Sequence, residues 1–364
     1  MELSYGYVFP AIRGIQAKCQ YYTAMCPIRL IPKLFSFDDE EIPPEMRAQR
    51  TLNKVRVPEI ANYILNNRDS YVFSAITASI NSDIAFEPIG TEGESRNIGS
   101  LRVPMDARFI VNDGQHRRAA FELALRENPD IGNETIAVVF FHDLGLKRSQ
   151  QMFTDLNRYA AHPDTSLNIL YDHRDKKSIL ARSVVKEVKV FKGLTDLERS
   201  NLPIRSGKLF TLSSIYHATL ALLANHKNDE LEEQVRIASH YWNEVCKHIP
   251  HWEQVFQRKV SAGEMRQEYV HSQAITLSAL GRLGAVLLSV YPNDWEKHLK
   301  GLKRIDWSRT NPVWQERIIF DGRISKSQAS VTRMASYLKT KLDLPLNADE
   351  EQLEQSLILV EAKP

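Results

Sequence analysis

The sequence predicts an α+β fold, in which an α/β module with a mixed sheet precedes a mostly α-helical C-terminal domain. The first half alternates short strand-like runs with helix-like runs, which is the rhythm of a compact α/β module. In the second half, apolar residues recur at spacings of three and four, as in Leu231, Val235 and Ala238, which indicates amphipathic helices. A chain of 364 residues has room for two domains, which we place at residues 1–170 and 171–364.

In the predicted α/β module, β-branched and aromatic residues mark the strands, and turn residues separate them. Pro58 occupies the tolerated first turn of a helix that reaches Leu65. Residues 90–99 are rich in Gly, Ser and charge, and we expect a surface loop there. Strands are predicted at residues 7–15, 21–34, 71–80, 108–111 and 136–141, and helices from residue 115 to 125 and over 147–159.

In the predicted helical domain, four amphipathic or apolar helices are the main elements. They cover residues 211–223, 231–249, 271–290 and 324–342. Trp295, Trp307 and Trp314 are expected to seal this domain rather than to stack on bases. The acidic tail, residues 343–361, is expected to be a solvated helix.

The composition is that of an ordinary globular protein, with 43% hydrophobic and 25% charged residues and a net charge of +2. Affinity for nucleic acid must therefore come from local patches. Gly281, Arg282 and Gly284 interrupt the most apolar stretch, residues 274–290, so we expect a buried helix there and no membrane contact. The N-terminal residues lack the basic start and apolar core of a signal peptide, and we expect a cytoplasmic protein.

The most informative segment joins a strand to a helix through Asn112, Asp113 and Gly114. Residues of this kind tolerate the positive φ of a tight turn. The first helical turn then carries a polar set with two cations: Gln115, His116, Arg117 and Arg118. Because a helix N-terminus already attracts anions, two guanidinium groups beside it would form a phosphate pocket, provided that they face solvent. The alternative is a tight turn with a solvated basic first turn, and both interpretations remain open.

Two carboxylates near this turn have competing roles. Asp113 and Glu122 are spaced so that they could help to hold Mg²⁺, whereas an aspartate beside a turn glycine more often caps the helix. We favour capping for Asp113. His116 either contributes a polar group to the site or packs on the strand.

Basic residues are concentrated in two segments of this nearly neutral chain. Residues 300–341 hold ten Lys and Arg against three Asp and Glu, and residues 174–208 hold ten against four. On the last of the four amphipathic helices, residues 324–342, the face that holds Lys326, Arg333 and Lys341 also holds Ser330 and Tyr337. We predict that they contact DNA phosphates, together with a second patch formed by Arg174, Lys176 and Lys177. A solvated helix face is the alternative for both patches.

The segment around Gly114 makes this chain similar to a known family. Asp113–Gly114–Gln115–His116–Arg117 is the DGQHR signature, and the chain resembles the DndB family of DNA sulfur modification (phosphorothioation) regulators. The segments 50–64 upstream and 151–158 downstream also look like blocks of that family. The resemblance implies a DNA-binding transcriptional repressor of a DNA-modification gene cluster, with double-stranded DNA of its own promoter as partner. Proteins that bind promoters often match a palindromic site by two-fold symmetry, so we expect a homo-oligomer. A third possible function is a non-catalytic adaptor that docks with other proteins of the modification system through a groove of the apolar helical half, although amphipathic stripes more often form a core.

More distantly, the DGQHR segment looks like the arginine box of ParB-type proteins and the corresponding turn of sulfiredoxins. The likeness covers Gly114, His116, Arg117 and Arg118, and it implies a ParB/sulfiredoxin-like α/β module that binds nucleotide phosphate. Gln115 stands where sulfiredoxins have their reactive cysteine, so sulfiredoxin chemistry is excluded. The alternative function is therefore a switch that binds ATP or CTP with Mg²⁺, or a slow nucleotide hydrolase, and no catalytic residue is assigned. A Walker P-loop is absent from the sequence.

Other reactive residue types give weaker signals. Cys19 and Cys26 are either redox-sensing thiols or small buried hydrophobes, and we favour the second interpretation. The eleven histidines show no spacing that specifies a metal, so no metal site is predicted.

Overall fold

The computed structural model describes residues 6–35, 52–53, 55–142, 145–158 and 163–361, apart from the side chains of residues 146 and 358–361. The chain divides into two compact units, Met1–Ala161 and His162–Pro364, each with an apolar core of its own. A sheet dominates the first unit and helices dominate the second. The predicted α+β class is confirmed at this level.

The N-terminal unit is built on a seven-stranded sheet in the order β4-β5-β1-β2-β7-β3-β6. Its strands are β1 (Gly6–Gln16), β2 (Cys19–Pro27), β3 (Ile76–Asn81), β4 (Ala85–Pro88), β5 (Ile98–Pro104), β6 (Arg108–Asp113) and β7 (Thr135–His142). Its helices are α1 (Ile31–Leu34), α2 (Arg56–Asn66), α3 (Gln115–Glu127) and α4 (Leu146–Arg158). Strands β3 and β7 are parallel and the other neighbouring pairs are antiparallel, so the sheet is mixed, as predicted.

Three predicted boundaries in this unit are wrong. The strand predicted over residues 21–34 ends at Pro27, and a 3-10 turn (Ile28–Leu30) and α1 follow it. Pro32 lies in the first turn of α1, where its fixed φ suits a helix. The strand predicted from residue 71 begins only at Ile76. The loop predicted over residues 90–99 passes into β5 at Ile98, and neither β4 nor β5 was predicted.

Strand β3 lies in the core of this unit and is buried on both faces. Ile76, Ala78 and Ile80 of β3 are fully buried together with Phe121 of α3 and Phe140 of β7. Helices α2 and α3 pack against each other. The edge strand β6 is thus held between a buried sheet and the helix that it leads into.

The C-terminal unit is mainly helical, and its core includes Trp295, Trp307 and Trp314, as predicted. Its helices are α5 (Thr165–Tyr171), α6 (Lys176–Glu187), α7 (Lys189–Leu194), α8 (Leu212–Leu222), α9 (Leu231–His248), α10 (Pro250–Phe256), α11 (Ala262–Glu268), α12 (Ala274–Val290), α13 (Trp295–Leu299), α14 (Gln328–Lys341) and α15 (Ala348–Glu361). Two pairs of two-residue strands complete it, β8 (Thr195–Asp196) with β9 (Phe210–Thr211) and β10 (Ile319–Phe320) with β11 (Arg323–Ile324).

The predicted apolar stripe of α9 is buried, with Val235 and Trp242 in the core. Helix α12 is a buried helix, as predicted, and packs on α8 and α14. At Gly281 a Cβ atom would lie 2.1 Å from the carbonyl oxygen of Ala218, so only glycine allows α12 and α8 to approach this closely. Over the described residues, every helix is too short or too polar to cross a membrane.

The acidic C-terminal helix is not fully solvated, contrary to the prediction. Both Nη atoms of Arg317 bind the Glu354 carboxylate, at 2.6 and 3.0 Å, and the Arg317 side chain is only 2% exposed. Lys339 pairs with Glu350 at 2.6 Å. One face of α15 therefore docks on the rest of the unit through paired charges, which a net-charge argument could not reveal.

Candidate functional site

The DGQHR segment forms the predicted strand–turn–helix. Strand β6 ends at Asp113, Gly114 has φ +105°, and α3 begins at Gln115. A Cβ atom at residue 114 would lie 3.0 Å from Cγ1 of Ile76, so both the φ and the space favour glycine. No side chain caps α3, since its N-cap residue is Gly114. The predicted capping role of Asp113 is therefore wrong.

Arg117 is a clamp within the N-terminal unit. Its Nη1 donates to the carbonyl oxygens of Ser74 and Ala75, at 2.5 and 3.0 Å, and its Nη2 pairs with the Asp113 carboxylate at 2.5 Å. The side chain is 13% exposed. These bonds tie the first turn of α3 to the segment that leads into β3.

Arg118 makes a second clamp, toward α1. Its Nε and Nη2 donate to the carbonyl oxygens of Phe35 and Pro32, at 2.7 and 3.1 Å. Its Nη1 binds the Glu122 carboxylate at 2.6 Å, and the side chain is 10% exposed. A buried guanidinium group must satisfy its donors internally, and this one does so with two main-chain oxygens and one carboxylate.

The condition for the predicted phosphate pocket is therefore not met by Arg117 and Arg118. Each guanidinium group is paired with a carboxylate and is mostly closed to solvent. Glu122 also binds Arg126 at 2.9 Å, so neither Asp113 nor Glu122 is a spare ligand for Mg²⁺. Nucleotide binding at this turn remains a prediction that now depends on backbone N–H groups, without the help of these two cations.

The other polar residues of the turn bind main chain or are buried. The backbone N–H of Asn53 donates to Nε2 of His116 at 3.0 Å, which joins the upstream sequence block to the DGQHR segment. Gln115 is buried, and its Oε1 has no hydrogen-bond partner. Asn112 is also buried: its Nδ2 donates to Oγ of Ser79 at 2.7 Å, while its Oδ1 has no partner. The interior of the turn thus presents acceptors, which attract N–H or O–H donors rather than phosphate.

The basic face predicted on α14 is only partly open to solvent. The helix begins at Gln328, after Lys326, and Tyr337 on the predicted face is buried. Arg333 donates to the carbonyl oxygen of Glu316 at 2.9 Å, and Lys341 lies over the Tyr337 ring. Of the three predicted phosphate contacts, Lys326 and Lys341 are exposed and Arg333 is half-buried, since α14 packs on α12 and α15.

The second predicted patch is better placed. Arg174, Lys176 and Lys177 are exposed around the N-terminus of α6 and line a cavity of 770 Å³, which we call the α6 cavity. The Asp175 carboxylate caps α6 by accepting from the N–H groups of Lys177 and Ser178. Asp229 and Glu230 also line the α6 cavity, so its charge is mixed.

The two N-terminal cysteines are not a redox pair. They are seven positions apart along β2, which is about 23 Å, far more than a disulfide can span. Burial raises the pKa of the Cys26 thiol to about 12, so it stays protonated, which supports the small-hydrophobe interpretation. Cys19 is half-buried and lines a cavity of 340 Å³ with His142 and Arg148, and its redox role remains a prediction.

Two features of possible function escaped sequence reasoning. The acid–base pairs Asp113–Arg117 and Arg118–Glu122 have the four-residue spacing of helical neighbours, a signal that could have revealed the inward arginines. A cavity of 810 Å³ in the C-terminal unit is lined by Arg205, Lys208, Arg258 and Lys259, which no motif marks. Over the described residues, no group of three or more His, Cys, Asp or Glu is placed to hold a metal ion.

The chain belongs to the DndB family, described as DNA-sulfur modification-associated, whose family model matches residues 9–345. The resemblance that the DGQHR signature indicated is thereby confirmed over nearly the whole chain. No curated protein and no solved structure matches the chain.

Proposed function

We propose that this protein is a DNA-binding transcriptional repressor of a DNA phosphorothioate-modification gene cluster, acting at its own promoter as a homo-oligomer. Membership of the DNA-sulfur modification-associated family over residues 9–345 carries the proposal. Other proteins of the modification system are further proposed partners.

For the DNA contact, we favour Lys176 and Lys177 over the basic residues of α14. Both lysines are exposed at the start of α6, while the carboxylate between Arg174 and Lys176 is engaged in capping main-chain N–H groups. Lysine ammonium groups in this position can reach phosphates as point charges. By contrast, Arg333 already binds a carbonyl oxygen, so less of the α14 patch faces outward.

A gel shift on the duplex upstream of the gene, run across a salt series, tests both the repressor proposal and the DNA contact of Lys176 and Lys177. We expect the wild type to bind this duplex more tightly than an unrelated duplex of equal length. Lys176→Ala/Lys177→Ala should weaken binding to both and reduce the salt slope by about two, since each lost phosphate contact removes about 0.9. Lys186→Ala, at the other end of α6, is the matched control and should bind as the wild type does.

Each outcome tests one of these two claims. Equal affinity for the upstream and unrelated duplexes would contradict the repressor proposal. If the double variant keeps its affinity and its preference for the upstream duplex, only the assignment of the DNA contact to Lys176 and Lys177 is contradicted. Repeating the series with ATP or CTP and Mg²⁺ tests the nucleotide switch, because a switch must change the affinity for DNA.

We also infer that the N-terminal unit is a ParB/sulfiredoxin-like module. The mixed sheet and the turn from β6 through Gly114 into α3 support this relation. A crystal structure grown with ATP or CTP tests it: nucleotide phosphate on the first turn of α3 would support the relation, and nucleotide bound only elsewhere would contradict it.

A further inference from the structure

We propose that the C-terminal unit binds a phosphate-bearing small molecule of nucleotide size in a second cavity, separate from the α6 cavity. This cavity lies between the loop 203–208 and the turn 255–263, and has a volume of 810 Å³. We call it the basic cavity. The residues that define it here are Ile204, Arg205, Lys208, Arg258, Lys259 and Val260.

Charge separates the basic cavity from the α6 cavity. Four of its lining residues are Lys or Arg, and none of the described residues that line it is acidic. The α6 cavity, in contrast, has three carboxylate residues among its lining. In the described part of the chain, Arg205, Arg258 and Lys259 make no ion pair and donate no side-chain hydrogen bond. A concave site with uncompensated positive charge attracts anions.

The walls of the basic cavity are already organised without a ligand. Arg266 of α11 donates to the carbonyl oxygens of four residues of the loop, Pro203, Ile204, Ser206 and Lys208, and so holds the loop in one shape. Nζ of Lys208 donates to the carbonyl oxygen of Gly193 at 3.0 Å, which orients its ammonium group. Because these groups are fixed beforehand, a ligand loses less entropy in binding to them.

Arg258 occupies a backbone position that favours glycine. The N–H groups of Arg258 and Lys259 close the end of α10 by donating to the carbonyl oxygens of Val255 and Gln254, at 2.9 Å each, which is a Schellman motif. The next-to-last residue of such a motif is left-handed, and Arg258 has φ +60° there. The chain thus places a guanidinium group at the cavity where glycine would be less strained, and strain of this kind is a reason to look for a function.

Size and apolar surface favour a small ligand over a double helix. The volume lies within the range of small-molecule sites. Ile204 is 67% exposed and Val260 half-buried, which provides apolar contact for a part of the ligand other than its phosphates. A duplex could insert no more than a backbone phosphate into such a concave site.

The test is a calorimetric titration of the full-length protein with ATP and, separately, with inorganic pyrophosphate. We expect saturable binding of at least one of the two, weakened about tenfold or more in Arg258→Gly, while thermal stability is retained or increased. Asp343→Gly is the matched control, since Asp343 has φ +55° at the same position of a second Schellman motif, after α14. It should bind ligand as the wild type does.

The outcomes distinguish the sources of phosphate and the sites. Tighter binding of ATP than of pyrophosphate supports a nucleotide, and equal binding supports a simpler phosphate ligand. Loss of duplex affinity in Arg258→Gly, measured by gel shift, would instead assign the phosphate to DNA, and unaltered duplex affinity leaves the repressor proposal independent of this one. Absence of saturable binding of either ligand, or binding that Arg258→Gly and Lys259→Ala leave unchanged, would overturn the proposal.

Discussion

Arg117–Arg118 in the N-terminal unit and Arg258–Lys259 in the C-terminal unit are both adjacent pairs of cations beside a helix end, and they have opposite surroundings. The first pair binds two carboxylates and four main-chain oxygens. The second pair lines an open cavity whose described lining holds no acid. The difference teaches that a cation in a suggestive motif is available to a ligand only when the fold leaves it without internal partners.

The largest effect is expected at Arg118. Arg118→Ala leaves the carbonyl oxygens of Phe35 and Pro32 and part of the Glu122 charge without a donor, so we expect a loss of about 3 kcal/mol in the free energy of unfolding, measured with urea. Arg126 shares Glu122 but is 72% exposed, and Arg126→Ala should cost less than about 1 kcal/mol. If Arg118→Ala weakened ligand binding at unchanged stability, the arginine would be a ligand contact after all.

The next effect concerns the turn that positions the first pair. Gly114→Ala combines a strained φ of +105° with a contact on Ile76, and we expect a loss of about 2 kcal/mol. Gly93→Ala is the control, because Gly93 has φ +53° but a Cβ atom there would have no neighbour within 4 Å. Equal losses for the two variants would show that the contact with Ile76 adds nothing.

The buried His271 of the C-terminal unit is a basic group that the fold keeps neutral. Burial, and next the nearby His251, lower the pKa of His271 well below its usual value. Nε1 of Trp252 donates to Nδ1 of His271 at 2.9 Å, so protonating that atom breaks the bond. The unfolded chain therefore binds the extra proton, and stability is complete above pH 6.5 and falls as the pH drops below it.

We expect this loss to approach about 1.4 kcal/mol per pH unit below pH 6.5. Thermal denaturation of the wild type between pH 7.5 and pH 5 measures it. His271→Asn should flatten the dependence, whereas the exposed His217→Asn should leave it unchanged. A wild type equally stable at both pH values would contradict the prediction.

The smallest effect on stability is expected at Arg258, in the second pair of cations. Arg258→Gly should raise the free energy of unfolding by up to about 1 kcal/mol, since glycine adopts a left-handed φ without strain. Asp343→Gly should give a similar gain, because its contact with Arg304, at 3.7 Å, is exposed and worth little. A clear loss of stability in Arg258→Gly, with a gain in Asp343→Gly, would show that Arg258 has structural partners in solution.

Much of the fold followed from local patterns. Alternation and helical spacing predicted β1, β6, α3, β7, α9 and α12, because these periodicities depend on neighbours within a few residues. Strands β4 and β5 escaped, since β4 has only four residues and the turn-rich segment before β5 hides its start. In the candidate site, the glycine turn was predictable from three residues, but the direction of the arginines was not.

The sequence by itself determined the division into a sheet-based and a helical unit, the strand–glycine–helix turn of the DGQHR segment, and the family. Only the tertiary structure decided which cations are available. The partners of Arg117 and Arg118 include main-chain oxygens 43 and 86 residues away, which no local pattern brings together. Near neighbours set secondary structure, whereas the surroundings of a charge depend on segments that meet only when the chain is folded.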